Sequence, residues 1–220
     1  MAISVRIVQR LIGVVAVFVL TPQGYADDWP QWRGPNRDAV VRGVRLPAKW
    51  PRKLTEEWKV PVGEGYASPV VVGGNVYVFT RQKDDEIVRC LQVATGKEIW
   101  RSEPCPAPYK GGPAAAGNTK PRATPAVAGG RVFTLGVSEI LSCLDARTGK
   151  LLWRKHSRGY PLYGASASPL VVDGLCIAQV GKGGLTAFDV ATGDVKWCYD
   201  DVIGGPSYGS PILVDLAGER

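Results

Sequence analysis

An eleven-residue phrase ending in tryptophan occurs three times in this chain. The copies read CLQVATGKEIW (90–100), CLDARTGKLLW (143–153) and AFDVATGDVKW (187–197). A second phrase precedes each copy, and its versions are ASPVVVGGNVYV from Ala67, ATPAVAGGRVFT from Ala123, ASPLVVDGLCIA from Ala167 and a shorter GSPILVD from Gly209. Successive tryptophans are 53 and then 44 residues apart, so the unit is about 44 residues with an insertion in the first gap.

Each unit contains four short runs with the composition of β-strands. In the third copy they are PLVV, LCIAQ, LTAFD and VKWCY, bounded by glycine or aspartate. The turns VGGN, AGGR and VDGL predict a hairpin between the first two strands. No unit shows a sustained apolar period of 3.6 residues, so few helices are expected. Four antiparallel strands every 40-odd residues predict an all-β protein made of β-propeller blades.

The tryptophan phrase predicts a seam between neighbouring blades. Its glycine suits a left-handed turn between the third and fourth strands, and its aspartate can accept the N–H groups of that turn. The tryptophan falls on the outermost strand, where burying an indole contributes on the order of a few kcal/mol. The predicted docking residues are Thr95, Gly96, Trp100, Asp145, Thr148, Gly149, Trp153, Asp189, Thr192, Gly193 and Trp197. The alternative, a ligand site lined by the three indoles, is disfavoured because outer strands lie away from a central channel.

These phrases resemble the tryptophan-docking motif A-x-D-x-x-T-G-K-x-x-W of the pyrroloquinoline-quinone (PQQ) type propeller repeat. The departures are cysteine for the leading alanine in two copies, Gln92 for the aspartate and Asp194 for the lysine. The resemblance covers residues 58–220, and the stretch DWPQWRGPNRDAV (28–40) is similar to the N-terminal part of exported proteins with these repeats. Many of those proteins are labelled as similar to the outer-membrane protein assembly factor BamB.

The resemblance implies a ring of seven or eight blades, whereas only three units are complete here. LTEEWKV (54–60) is interpreted as a fourth strand for a last blade, and GSPILVD as the first strand of the next. Three units and a fraction cannot close a ring, so we expect a truncated or split propeller. The alternative is that several copies assemble into one ring.

The first 26 residues have the pattern of a secretory signal peptide. Arg6 and Arg10 precede the apolar run LIGVVAVFVL (11–20), and small residues lead to Ala26. Ten apolar residues are short for a bilayer span, so we expect cleavage, a periplasmic or otherwise exported product and no stable membrane span afterwards. An uncleaved anchor is the alternative. The predicted organisation is a signal at 1–26, an N-terminal extension at 27–57 and repeats at 58–220.

Charge and cysteine content argue against two classes of function. The 27 basic and 20 acidic residues are interspersed, which does not favour a nucleic-acid partner. The five cysteines have no metal-binding spacing and His156 is the only histidine, so a zinc site is not expected. Cys90 and Cys143 occupy the slot of Ala187 in the third copy, which favours packing over a disulfide or redox role, although an exported protein could oxidise a pair.

A binding surface is predicted where the residues before each first strand converge at one mouth of the channel. These rim residues are Tyr66, Arg122, Ser166 and Tyr208, with Lys182 on a loop of the same face. Aromatic and arginine side chains are typical of recognition surfaces, although ordinary rim residues are the alternative. The Pro/Gly-rich segment 104–121 is interpreted as a partner-facing loop or an irregular excursion.

The sequence therefore predicts an exported, non-catalytic, BamB-like scaffold with envelope proteins or peptides as partners and no cofactor. The alternative implied by the resemblance is a fragment of a PQQ- and calcium-dependent alcohol dehydrogenase. Such enzymes carry two adjacent cysteines, which this chain lacks, and no catalytic constellation stands out. The BamB lipoprotein carries a lipid-attachment cysteine near its mature start, whereas the first cysteine here is Cys90.

Overall fold

A computed structural model of the protein describes residues 28–43, 47–108, 119–157, 163–181, 184–199 and 208–214. These residues form thirteen strands in three antiparallel sheets, and none of them is helical. The sheets are consecutive blades of a partial β-propeller, so the predicted fold class is confirmed. The predicted signal peptide lies outside the described residues.

Each blade is a meander in which chain order equals sheet order. Blade 1 contains β1 (Val70–Val72), β2 (Asn75–Gln82), β3 (Asp85–Gln92) and β4 (Glu98–Arg101), with β5 (Cys105–Pro106) paired to the start of β3. Blade 2 contains β6 (Ala126–Ala128), β7 (Arg131–Leu135), β8 (Ile140–Asp145) and β9 (Leu151–His156). Blade 3 contains β10 (Leu170–Val172), β11 (Leu175–Val180), β12 (Gly184–Asp189) and β13 (Val195–Tyr199).

Local turn chemistry explains why these strands form. In blade 1 the first hairpin turns at Gly73 and Gly74, with φ values of 57° and 78°. Two consecutive positive φ angles are what a two-residue type I′ hairpin needs, and glycine takes them without steric cost. The amide of Val93 then donates to Gly74 O at 2.9 Å, which ties the Thr-Gly turn to this hairpin at one end of the blade.

The hydrophobic core lies between blades rather than inside any one of them. Tyr77 and Trp100 of blade 1 pack with Leu144 of blade 2 in one buried cluster. Phe133 of blade 2 and Phe188 of blade 3 belong to the next buried cluster. A sheet has two faces to cover, so each blade is stabilised mainly by its neighbours.

The cysteines are all free thiols, and four of the five are buried. Cys90 and Cys143 lie in the third strands of blades 1 and 2, as the repeat predicted. Burial raises the pKa of Cys90 to about 11 and that of Cys143 to about 12. The reactive thiolate is therefore strongly disfavoured at both positions.

The segment before the blades adds to their innermost strands. Trp29 pairs with Val71 of β1, its amide donating to Val71 O at 2.7 Å. The next carbonyl, that of Pro30, accepts the amide of Val127 on β6 at 2.8 Å. This N-terminal segment therefore joins blades 1 and 2 from the side of the propeller axis.

Arg37 extends the same segment to blade 3. Its guanidinium donates to Ser168 O at 3.2 Å and to Pro169 O at 3.0 Å, just before β10. Its centre lies 5.3 Å from the ring centroid of Trp32. Desolvation lowers the pKa of Arg37 to about 10, which still leaves it cationic at neutral pH. One buried cation thus fastens the N-terminal segment to a third blade.

Two strand predictions at the ends of the repeat region are wrong. Residues 54–60 and 209–214 form no strand among the described residues. The segment 104–121, interpreted as irregular, begins with the two-residue strand β5, and its residues 109–118 lie outside the described ranges.

Candidate binding rim and the blade seams

The outer seam between blades 1 and 2 is a contact between Trp100 and the Thr-Gly turn of the next blade. The side chain of Trp100 is buried on β4, and its Nε1–H donates to Ala146 O at 3.0 Å. The indole lies over Gly149, where any Cβ would overlap the ring. Gly149 therefore serves two needs, a φ of 74° and room for an aromatic ring.

The same contact recurs at the neighbouring blades. Trp153 on β9 donates to Val190 O of blade 3 at 3.0 Å, and a Cβ at Gly193 would lie 2.7 Å from its ring. On the other side of blade 1, Trp58 donates to Val93 O at 2.7 Å and covers Gly96 in the same way. The motif did not reveal Trp58, the third indole that makes this contact, because its surroundings, LTEEWKV, lack the Thr-Gly turn.

The aspartate of the motif shapes the turn that receives the indole. Asp145 Oδ1 accepts the amide of Thr148 at 2.8 Å and the hydroxyl of the same residue at 2.7 Å. Hydrogen bonding from Thr148 is the main cause that lowers the pKa of Asp145. In blade 1 the side-chain oxygen of Gln92 accepts only the Thr95 hydroxyl, at 2.7 Å, so glutamine reproduces part of this arrangement.

Trp197 differs from the other indoles. It lies on β13, as predicted, but its side chain is 41% exposed, whereas Trp153 is only 8% exposed. The physical reason is that no Thr-Gly turn covers Trp197 among the described residues. Trp197 is therefore not a buried wedge among the described residues, and its docking role stays a prediction.

A second repeated seam lies near the hub, and the sequence analysis missed it. The residue before each repeat proline carries a hydroxyl, and these residues are Ser68, Thr124, Ser168 and Ser210. The amide of Ser68 donates to Thr124 Oγ1 at 3.4 Å, that of Thr124 to Ser168 Oγ at 2.9 Å, and that of Ser168 to Ser210 Oγ at 2.8 Å. The hydroxyls thus form a ladder from blade to blade.

The candidate binding surface, here called the rim, lies beside this ladder. It consists of the four described rim predictions and one residue that the sequence did not single out: Tyr66, Arg122, Ser166, Tyr208 and Tyr163. The predicted rim residue Lys182 lies outside the described residues. Three of these side chains are exposed tyrosines, and Tyr66 is the most open at 61%.

Hydrogen bonds and ring contacts connect the rim residues from one blade to the next. The amide of Tyr66 donates to Pro121 O at 2.8 Å, directly beside Arg122. The guanidinium of Arg122 donates to Tyr163 O. The Tyr163 ring meets the Tyr208 ring edge-on, with centroids 5.9 Å apart. Tyr163 therefore links Arg122 to Tyr208. The repeat could not reveal it, because it lies in a connection between blades whose length differs from one copy to the next.

A calcium and quinone cofactor is expected only under the dehydrogenase alternative. Within the described ranges, no group of three or more histidine, cysteine, aspartate or glutamate side chains could hold a metal ion. The sequence also has no adjacent cysteines.

The repeat pattern agrees with a known family. The family described as "Outer membrane protein assembly factor BamB" (PQQ_2) matches residues 84–215, more than half of the chain. The chain belongs to this family. Its resemblance to PQQ-type propeller proteins, predicted from the tryptophan phrases, is therefore confirmed.

Relatives of this BamB-like chain include two kinds of protein. The outer membrane protein assembly factor BamB of Burkholderia pseudomallei (strain K96243) is 33% identical over 149 residues, covering 66% of this chain and 34% of that protein. Quinohemoprotein alcohol dehydrogenase ADH-IIG of Pseudomonas putida is 29% identical over 167 residues, covering 70% of this chain and 22% of that enzyme. The chain thus spans about a third or less of the length of these two relatives.

A solved structure supports the fold alone. The quinohemoprotein alcohol dehydrogenase from Comamonas testosteroni superposes with a TM-score of 0.60 at 23% identity, over 78% of this chain and 27% of that one. None of the described residues forms a helix of the length and hydrophobicity needed to cross a bilayer.

Proposed function

We propose that this chain is an exported, non-catalytic propeller scaffold that binds proteins or peptides of the cell envelope through the rim. The observation that carries the proposal is the continuity of the rim, in which exposed tyrosines from successive blades are held by hydrogen bonds and ring contacts. Tyrosine offers a large contact area for the loss of only two side-chain torsions, which suits recognition. Similarity to BamB supports a partner among envelope proteins.

Charge supports a protein partner rather than a nucleic acid. Arg122 is the one basic side chain among the described rim residues, and it is engaged by Tyr163 O. Nucleic-acid sites use rows of basic groups free to reach phosphates. The rim instead combines aromatic rings with one anchored cation, which is typical of protein interfaces.

Site-specific photo-crosslinking tests the proposal. A photoreactive phenylalanine analogue at Tyr66 is expected to capture a defined set of envelope proteins in living cells. The matched control is the same analogue at Tyr199, which is similarly exposed but lies on the outer strand of blade 3. Equal capture at both positions, or capture that survives combined alanine substitution of Arg122 and Tyr208, would contradict a rim-mediated function.

Export by a cleaved signal is part of the same proposal. Asp28 Oδ1 accepts the amide of Gly73 at 2.9 Å, so the folded structure includes a residue only two positions beyond the expected cleavage at Ala26. N-terminal sequencing of the protein recovered from cells is expected to begin at Asp27. A protein that retains residues 1–26 would support the uncleaved anchor instead.

The quinoprotein alternative is supported by the similarity to ADH-IIG, which is comparable to the similarity to BamB. The test is to add PQQ and calcium to the purified chain and to measure quinone absorbance and dye-linked alcohol oxidation. Bound quinone together with activity would replace the scaffold proposal. The scaffold proposal expects neither.

A further inference from the structure

A buried glutamate lies at the seam between blades 1 and 2. Glu86, in β3, is 2% exposed, and its Oε1 accepts the amide of Val137 in the β7–β8 turn of blade 2 at 2.8 Å. The neighbouring residue is Gly136, where any Cβ would overlap Glu86 Oε2. The turn of blade 2 is thus shaped to receive this carboxyl group.

The contact recurs at the next seam, so it is a feature of the repeat and not of one blade. Glu139 occupies the same repeat position, four residues before the cysteine slot, and is also buried. Its Oε2 accepts the amide of Gly181 in blade 3 at 3.3 Å, and Gly181 is the repeat equivalent of Val137. The third copy has Gly183 in the glutamate position. Carboxyl groups therefore link the blades at two successive seams.

The cations near Glu86 lie too far away to form an ion pair with it. Its charged and titratable neighbours are Arg81 on β2 and Cys105 on β5 of its own blade, and Arg154 on β9 of blade 2. Arg81 donates to Ala107 O and Thr119 O, and Arg154 to Ser142 Oγ. Within the described residues, no ion pair of 4.0 Å or less includes Glu86.

The space beside Glu86 is too small to hold the water molecules that would hydrate a charged carboxylate. The cavity that Glu86 lines with Ser102, Thr134, Ser142 and Arg154 measures about 10 Å³, room for one water molecule at most. Burial is accordingly the main cause that raises the pKa of Glu86 to about 7, and it outweighs the hydrogen bond from the Val137 amide and the charges of Arg81 and Arg154, which all lower that pKa.

Val137 connects this carboxyl group to the rim. Its carbonyl accepts the amide of Ala165 at 3.0 Å, and Gly164 packs against its side chain. Tyr163, the residue before Gly164, accepts a hydrogen bond from Arg122 at its carbonyl oxygen, and its ring contacts the Tyr208 ring. One amino acid, Val137, is thus held by Glu86 on one side and holds the central rim loop on the other.

We propose that Glu86 is a proton-controlled positioning residue for the rim, so that the loop around Tyr163 is held firmly when Glu86 is protonated and loosens when Glu86 ionises. The inference rests on the proposed binding function only for its biological consequence, a rim that binds partners better at mildly acidic pH. The structural claim concerns the seam itself and can be tested without a partner.

Proton linkage sets the direction in which the stability of the seam changes with pH. The pKa of Glu86 in the folded chain lies above its ordinary value of 4.5, so between that value and about 7 the folded state binds more protons than the opened state. The contribution of Glu86 to the stability of the seam is then fully present below pH 4.5 and is lost as the pH rises from 4.5 to about 7. Above that range both states are ionised and the loss is complete.

Amide hydrogen exchange of the purified full chain tests this. The protection factor of an amide is its intrinsic exchange rate divided by its measured rate. We expect the protection factors of Val137 and Ala165 to fall by up to about 100-fold from about pH 5 to about pH 8. In Glu86→Gln, where the amide oxygen can still accept from Val137 but cannot titrate, protection at these two sites is expected to be independent of pH. The matched control Glu139→Gln removes the equivalent carboxyl at the next seam and is expected to retain the wild-type fall at Val137.

A second measurement needs no variant. Carbon-13 NMR of the glutamate side-chain carboxyls is expected to show that the Glu86 carboxyl titrates near neutral pH. A normal midpoint for every glutamate, or equal pH dependence of protection in wild type and Glu86→Gln, would overturn the inference. Failure of the photo-crosslinking experiment would leave both readouts unchanged, so the two proposals fail separately.

Discussion

The indole N–H of Trp100 in blade 1 donates to the carbonyl oxygen of Ala146 in blade 2, at 3.0 Å. The amide of Ala146 in turn donates to Gly130 O at 2.9 Å. The indole of blade 1 therefore binds a turn that blade 2 already holds in place. The same pair of contacts recurs with Trp153 and Val190. A preorganised acceptor loses little entropy when the indole binds, which makes the tryptophan an effective link between blades.

Replacing Trp153 by alanine is expected to lower the free energy of unfolding by about 3–5 kcal/mol, because it removes a buried indole and its hydrogen bond. The matched control is Trp197→Ala, at the equivalent but half-exposed position, with an expected loss below about 1 kcal/mol. Urea unfolding monitored by circular dichroism measures both. Equal losses would show that the covering turn contributes nothing.

Replacing Ser168 by alanine tests the hydroxyl ladder. It leaves the buried amide of Thr124 without its acceptor at 2.9 Å, and we expect a loss of about 1–3 kcal/mol in urea unfolding. Thr124→Val is the comparison, because its hydroxyl accepts Ser68 N at the longer distance of 3.4 Å and its shape is conserved. A Thr124→Val variant less stable than Ser168→Ala would contradict the ranking.

Replacing Arg37 by methionine is expected to release the N-terminal segment from blade 3. The change removes hydrogen bonds to Ser168 O and Pro169 O, with an expected loss of about 2 kcal/mol. Arg33→Met is the control, since Arg33 lies at the same 5.3 Å from the Trp32 ring but is exposed. Limited proteolysis should cut the segment faster only in Arg37→Met, and equal cutting would refute the anchoring role.

The turn aspartate predicts a different pH dependence from Glu86. Hydrogen bonding from Thr148 holds the pKa of Asp145 below its ordinary value of 3.8, so the contribution of Asp145 to stability is present above that pH and is lost as the pH falls further. Asp145→Ala is therefore expected to lower the melting temperature at pH values near neutrality and to approach the wild type as the pH falls below 3.8. A difference between Asp145→Ala and the wild type that stays constant at all pH values would contradict this prediction.

Much of the fold could be predicted because the information is local. The Thr-Gly turns, the hairpin glycines and the 44-residue period each follow from a few neighbouring residues, and they predicted the strands of all three blades. The predicted docking residues Trp100 and Trp153 do contact turns of the next blade, although their contribution to stability stays a prediction. Trp197 carries the same motif but lies exposed, because burial depends on a neighbouring turn and not on the residue itself.

The rim and the inner seams were harder to predict. Tyr66, Arg122 and Tyr208 were selected from their position before the first strands, and the structure joins Arg122 to Tyr208 through Tyr163. Ser168 was quoted within a repeated phrase without a role, since a hydroxyl before proline gives no sign of accepting an amide from another blade.

The sequence by itself determined the blade, because strand length, turn type and the tryptophan position are encoded within about 44 residues. The tertiary structure alone decided which groups meet across the seams. Glu86 and Val137, or Arg37 and Ser168, are 51 and 131 residues apart, and no local pattern records such pairs. They come together because each sheet must bury both faces against its neighbours, and that packing sets the register from one blade to the next.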